Sequence, residues 1–219
     1  MARRTARAAA DTFGSTESTD MRHTLDYYFA PHSPWTYLGH ARLAALLAQS
    51  GARVRVLPID LAQVFAVYGG LPLPQRAAQR QAYRLLELQR FAAALALPLV
   101  PQPRFFPVAG DAAARLIVAA DLALGADAAM RLAGAIGAAV WTQERNIAEA
   151  DTLAQLLSEC GLAAGLLKQS EGAEVQTRYA QNTQAAIDAG VFGAPSYVID
   201  AELFWGQDRL DFVARRLAA

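Results

Sequence analysis

The chain has 219 residues, 54% of them hydrophobic, enough to bury a core as one domain or as one domain with a large insertion. Twenty Lys plus Arg against twenty Asp plus Glu leave no net charge, so no global field points to nucleic acid or to an anionic membrane. A single cysteine, Cys160, excludes an internal disulfide framework, and apolar runs such as residues 95–100 are too short to span a bilayer.

Residues 1–22 place Arg3, Arg4 and Arg7 among Ala, Ser and Thr with no apolar core of signal-peptide length behind them. They read as a disordered tail. Asp11, Glu17 and Asp20 argue against a transit peptide, Met21 is an equally good start, and the default location is cytoplasmic. An aromatic run from Leu25 to Phe29 predicts a strand, and Tyr37, Leu38, Leu43, Leu46 and Leu47 recur at helical spacing up to a natural stop at Gly51. Arg53 to Pro58 alternates as a strand and completes a β-α-β unit. After Leu61–Tyr68 and the turn-rich residues 69–74, a helix is predicted over 75–95, with an apolar stripe of Tyr83, Leu85, Leu86, Leu88 and Phe91. Four prolines between 98 and 107 mark an extended loop. Further helices are predicted over 111–124, 128–141 and 151–160, with Asp151 a plausible N-cap and Cys160 structural filler at the last end. A helix over 176–189 closed by Gly190, strands over 196–200 and 202–205, and a last helix over 207–217 follow. The order is β-α-β, a helical block, then α-β-β-α.

Ser33 stands at the first strand-to-helix junction as a good N-cap, with Pro34 at the first helical position, where a missing N–H costs nothing. A Ser-Pro pair there is commonly only a cap. A thioredoxin-like redox site, however, would place Cys-x-x-Cys on these four positions, and the chain reads Ser33-Pro34-Trp35-Thr36, so both sulfurs are replaced by hydroxyls. A hydroxyl cannot shuttle disulfides, but at a helix N-terminus it can donate to a bound thiolate that the dipole also favours. The sulfur then belongs to a ligand, glutathione being the obvious one, whose thiol would be lowered from an ordinary pKa of about 8.5. The predicted fold class is α/β: a thioredoxin-like domain of residues 23–60 and 176–219, cut open by a helical insertion, residues 61–175. Pro195, just before the third strand, is either an ordinary loop proline or the cis-proline of such a fold, which would expose the backbone of Ala194 to a cysteinyl residue of a peptide ligand.

Tyr28-Phe29, Ser33 to Leu38, Gly190 to Pro195 and the string Leu203-Phe204-Trp205-Gly206-Gln207-Asp208-Arg209-Leu210 resemble the 2-hydroxychromene-2-carboxylate isomerase family, which has a DsbA-like fold and is similar to the kappa-class glutathione transferases. The resemblance spans residues 24–217. It implies a glutathione-dependent cis-trans isomerase that works by reversible thiolate addition to an unsaturated aromatic keto acid. It further implies that Ser33 bonds the glutathione sulfur, that Ala194 before Pro195 holds the cysteinyl backbone, and that Gln207 and Asp208 bind the γ-glutamyl end. Asp208 is otherwise a first-turn acid of the last helix, and Gln207 a solvated helix-start residue. Trp35 and Trp205 either wall an aromatic substrate or fill core.

Departures from the family pattern bear on the substrate. Ala30-Pro31-His32-Ser33-Pro34 replaces Asp-Phe-x-Ser-Pro, so an acid is lost and His32 stands beside the presumed thiolate, as a solvent-facing loop residue or as a group that tunes the thiol or meets a carboxylate. Arg80-Gln81-Ala82-Tyr83 replaces Lys-x-x-Tyr, which makes Arg80 a candidate carboxylate ligand, a solvated helix arginine being the alternative, and Tyr83 a substrate candidate. The expected partners are glutathione, a small aromatic substrate and a second copy of the chain in a homodimer, with no metal, nucleic acid or membrane. A transferase or peroxidase using the same thiolate and a non-catalytic binding module remain open. A disulfide oxidase is disfavoured by the absent cysteines.

Overall fold

The structure is a computed structural model and describes residues 23–219; the expected tail, residues 1–22, lies outside the described residues. Strand β1 (Thr24–Phe29) runs into helix α1 (Pro34–Ser50), which ends at Gly51 in the left-handed region (φ 67°) and returns as β2 (Arg53–Pro58), parallel to β1 with Tyr27 opposite Val56. Helices α2 (Leu61–Tyr68), α3 (Ala78–Ala94), α4 (Asp111–Leu124), α5 (Ala126–Trp141), α6 (Ala150–Glu159), α7 (Gly165–Ser170) and α8 (Ala173–Asp188) follow. The chain then re-enters the sheet with β3 (Ser196–Ile199) and β4 (Glu202–Trp205) and closes with α9 (Leu210–Leu217). The sheet order is β2-β1-β3-β4, with β3 antiparallel to β1 (Tyr27 opposite Tyr197) and β4 antiparallel to β3.

Period-two alternation decides which helices lie on which face. Leu25, Tyr27, Phe29, Tyr197 and Ile199 belong to one continuous core with Leu38 and Leu43 of α1, Leu116 and Ile117 of α4, and Leu132, Ile136 and Trp141 of α5. Tyr27 stacks on Phe29 and on Tyr197 at 4.4 and 5.6 Å between centroids. Tyr28 and Val198, pointing the other way, pack with Ile59, Val64, Ala186 and Val191 under α2 and α8. The helical block and the sheet therefore share one core. Among the described residues no helix is long and apolar enough to cross a membrane.

Several boundaries differ from the sequence reading. The helix expected from 75 begins at Ala78, because Leu73–Gln75 close a 3-10 turn and Arg76 and Ala77 are extended, with the Arg76 side chain bonded to the Leu71 carbonyl at 2.7 Å. Of its expected stripe only Leu88 is fully buried; Tyr83 and Leu86 are exposed. Asp151 is not an N-cap: α6 begins one residue earlier behind Glu149, whose carboxylate accepts from the Asn146 amide. Helix α7 had no signal in the reading, and α8 begins at Ala173, not 176. Strand β3 stops at Ile199 because Asp200 and Ala201 take positive φ in a two-residue hairpin turn. Residues 207–209 are a 3-10 turn ahead of α9. Cys160, half-buried at the C-terminus of α6 with its thiol pKa raised by burial, fits a structural role.

Candidate functional site

A cavity of about 440 Å³ opens where the C-terminal ends of β1 and β2 meet the turn before β3, the place where a sheet edge and several helix N-termini leave a gap. Ser33 lies on its wall, nearly buried at 7% exposure. It caps α1 as expected: its backbone is extended, Pro34 follows, and its hydroxyl oxygen accepts from the Thr36 N–H at 3.4 Å. That bond is long, and an accepting hydroxyl keeps its own proton free to donate. The Tyr37 N–H closes on the Ser33 carbonyl at 3.1 Å and Pro34 has no N–H, so Trp35 carries the remaining first-turn donor.

Facing this helix end is the other half of the site. The Ala194–Pro195 bond is cis, as the fold reading expects, and Ala194 lines the cavity. The turn is held by its neighbours: Ser196 Oγ donates to the Gly193 carbonyl at 2.8 Å and the Gly206 N–H donates to the Pro195 carbonyl at 2.9 Å. Among the described residues the Ala194 N–H and C=O make no hydrogen bond, which leaves them for an extended ligand segment. A Cβ on Gly193 would fall 2.4 Å from Trp205 Nε1, so glycine is what lets the indole lie against this turn. Trp205 and Phe192 meet edge to face at 4.8 Å, both partly exposed on the cavity wall.

His32 also lines the cavity. Its Nδ1 is buried without a hydrogen-bond partner against Gly110, where a Cβ would come within 2.2 Å of that nitrogen. Burial lowers its pKa, with Asp111 and Asp60 pulling weakly the other way, so the ring is neutral at physiological pH. The two acids on the wall are already engaged. Asp60 caps α2 by accepting from the Ala62 and Gln63 N–H groups at 2.9 and 3.3 Å, and Asp111 accepts from the Tyr179 hydroxyl at 3.1 Å, which with burial raises the pKa of that phenol far above its ordinary range.

The other expected site residues are placed differently. Arg80 and Tyr83 are exposed on α3 and do not line the cavity; one turn further on, Arg84 does, together with Arg76. Nothing in the sequence pattern singles out Arg84 from Arg80. Gln207 is buried, but its side-chain and main-chain carbonyls both accept from Arg42 of α1, at 3.3 and 3.2 Å, so it ties the final turn to α1 and does not line the cavity. Asp208 is half-exposed and accepts from Arg209 at 2.8 Å. Trp35 is on the wall, with its ring edge to face with Phe91 of α3 at 6.0 Å.

The family model for the DSBA-like thioredoxin domain matches residues 24–218. A 2-hydroxychromene-2-carboxylate isomerase of Sphingobium xenophagum is 30% identical over 195 residues, 88% of this chain and 97% of that protein. One of Pseudomonas putida is 32% identical over 190 residues, 85% of this chain and 90% of that protein. A solved 2-hydroxychromene-2-carboxylate isomerase superposes with a TM-score of 0.75 at 26% identity, covering 89% of this chain and 94% of that one. A probable DsbA oxidoreductase of Streptomyces coelicolor superposes with a TM-score of 0.68 at 20% identity, a likeness of fold, over 90% of this chain and 88% of that one.

Proposed function

The chain belongs to the DSBA-like thioredoxin family and, within it, to the 2-hydroxychromene-2-carboxylate isomerases, and from that premise we propose that it is a glutathione-dependent cis-trans isomerase of a small aromatic keto acid. The observation that carries the reading is Ser33: a nearly buried hydroxyl at the start of α1, opposite Ala194, on the wall of one cavity, with hydroxyls at both positions where a disulfide oxidoreductase would carry cysteine.

The residues present fit glutathione. A thiolate requires donors without acceptors of their own, and the Ser33 hydroxyl and Trp35 N–H supply them at the positive end of a 17-residue helix. A cysteinyl backbone requires a free N–H and C=O in extended geometry, which Ala194 offers. For the γ-glutamyl ammonium the candidate is the Asp208 carboxylate, which lies outside the cavity wall and is paired with Arg209, while Gln207, held by Arg42, fixes the turn that carries it. Bound glutathione supplies a thiolate nucleophile for reversible addition to the substrate double bond, which frees that bond to rotate.

The protein's own part is to hold that sulfur deprotonated at neutral pH, to orient the substrate and to exclude water. Ser33 and the helix dipole favour the charged form of the sulfur. Neutral His32, next to Ser33, puts no second charge beside the sulfur. Phe65, Phe106, Phe192 and Trp205 wall the cavity and favour a flat aromatic guest.

The test is isothermal titration of glutathione into the protein, followed by an absorbance assay of hydroxychromene carboxylate isomerisation with and without glutathione. Binding with glutathione-dependent turnover supports the reading. Binding with transfer to other electrophiles and no isomerisation replaces it by a transferase, and absence of binding overturns it.

A further inference from the structure

Two arginines line the cavity, Arg76 and Arg84, and among the described residues the Arg84 side chain makes no hydrogen bond or ion pair. Arg76 is bonded to the Leu71 carbonyl, and Asp60 and Asp111, the wall's two carboxylates, are engaged by backbone N–H groups and by Tyr179. Among the described residues no carboxylate pairs with Arg84, its Nη2 is buried without a hydrogen-bond acceptor, and the nearest influence on its charge is the like charge of Arg76. Burial and that neighbour push its pKa down to about 10, so it stays charged at neutral pH. A cation withdrawn from water without an anion is costly, and a folded chain keeps one where a ligand brings the anion.

The geometry around it suits a planar anion. The guanidinium carbon lies 5.1 Å from the Phe106 ring centroid and 5.7 Å from that of Trp141, and stacking of this kind leaves the edge of the fork for hydrogen bonding. Trp141 Nε1 is a second buried donor without an acceptor beside the same guanidinium. Arg84 also forms a partition. A second cavity of about 250 Å³ shares Leu73, Arg84, Phe106 and Pro107 with the main one, so Arg84 stands on the wall between the two.

We propose that Arg84 is the specificity residue of this site: its guanidinium receives, bidentately, the carboxylate of the aromatic substrate and sets how deep that substrate enters. This rests on the isomerase reading for the identity of the substrate, but not for the binding of an aromatic carboxylate. A carboxylate could also come from the glycyl end of glutathione; the rings of Phe106 and Trp141 against the guanidinium favour the aromatic source, and the two are separated by experiment.

Cinnamate and its neutral counterpart cinnamamide are titrated, with tryptophan fluorescence as readout and no glutathione present, into the wild type and into the Arg84→Met and Arg84→Lys variants. The wild type is expected to prefer cinnamate by roughly 10- to 100-fold, the span of a charge-assisted hydrogen-bond pair. Arg84→Met should lose that preference, and Arg84→Lys should keep part of it. In turnover, Arg84→Met should raise KM for the aromatic substrate by a similar factor and leave KM for glutathione unchanged. Its melting temperature should be equal to or above that of the wild type, since an unpaired buried charge is removed, which shows that the fold is intact. Equal binding of the two probes by the wild type, or an Arg84→Met variant that keeps the preference, overturns the proposal; so does a rise in KM for glutathione alone, which would give the carboxylate to the peptide. A wild type that discriminates the probes but shows no glutathione-dependent turnover leaves Arg84 as a carboxylate site and removes the isomerase reading.

Discussion

Replacing Ser33 by aspartate separates its service as a helix cap from its service to a sulfur. Asp is as good an N-cap as Ser, and its charge at a helix N-terminus adds about 0.3–1 kcal/mol against the cost of placing a carboxylate at a position 7% exposed, so Ser33→Asp should melt near the wild type. Ser33→Ala removes the cap, nominally about 0.5–2 kcal/mol; the 3.4 Å bond to Thr36 puts the loss at the low end, or roughly 1–4 °C in Tm for a chain of this size. Chemistry responds in the opposite order. At 7% exposure the site lies far from bulk water, and two like charges about 4 Å apart at an effective dielectric of 20 repel by about 4 kcal/mol. That is about 3 pKa units on the bound thiol, enough to turn a mostly ionised thiol into a mostly protonated one at neutral pH. The assay pairs a thermal melt with the ultraviolet thiolate absorbance of bound glutathione against pH and with turnover. Ser33→Asp should melt near the wild type and lose thiolate and turnover; Ser33→Ala should melt lower and lose less. An aspartate variant that keeps wild-type thiolate and turnover would refute the reasoning and leave Ser33 as a cap alone.

Further tests follow from the groups around the cavity. Gly110→Ala drives a methyl into the His32 ring, an overpacking that costs about 1–3 kcal/mol, and adding His32→Ala should recover most of it; a double-mutant cycle with no coupling would show that the ring does not lie against Gly110. His32 and His40 both have folded pKa values lowered by burial, so the unfolded chain binds their protons first; their neutral state is fully favourable above about pH 6.5 and stability is lost as pH falls through that value toward the lower folded ones. Melting temperature should therefore drop between about pH 7.5 and 5.5, more shallowly in His32→Gln, and a slope unchanged in that variant would exclude His32 as a contributor. Lacking cysteines at 33 and 36, the protein should not reduce insulin disulfides in a turbidity assay.

What could be read from the sequence was local. The limits of β2 and α4 follow from strict alternation and from a glycine-bounded apolar run, and the cap at Ser33 from a serine-proline pair before a helical period. The errors lie where distant segments decide. Arg80 and Arg84 are one turn apart on α3, and only the position of Phe106 and Trp141 shows which of them meets the cavity. Gln207 turns to α1 because Arg42 lies 165 residues away in the chain and beside it in space. Gly39 makes that approach possible, since a Cβ there would fall 2.9 Å from Gln207 Cβ. A helix period carries none of these three facts.

The distribution of charge around the cavity suits the two anionic groups proposed for it. The N-terminal ends of α1, α2 and α4 all reach its wall, at Ser33, Asp60 and Gly110-Asp111. Two of these positive ends carry a carboxylate of their own, Asp60 as the cap of α2 and Asp111 in the first turn of α4, whereas α1 has none. An incoming anion therefore finds its favourable seats at the start of α1 and at Arg84, which no carboxylate among the described residues pairs. One seat offers a hydroxyl and an N–H suited to a single soft atom, the other a flat fork suited to two oxygens. A volume of about 440 Å³ is enough for the thiol-bearing ligand and the small aromatic acid proposed above to lie side by side.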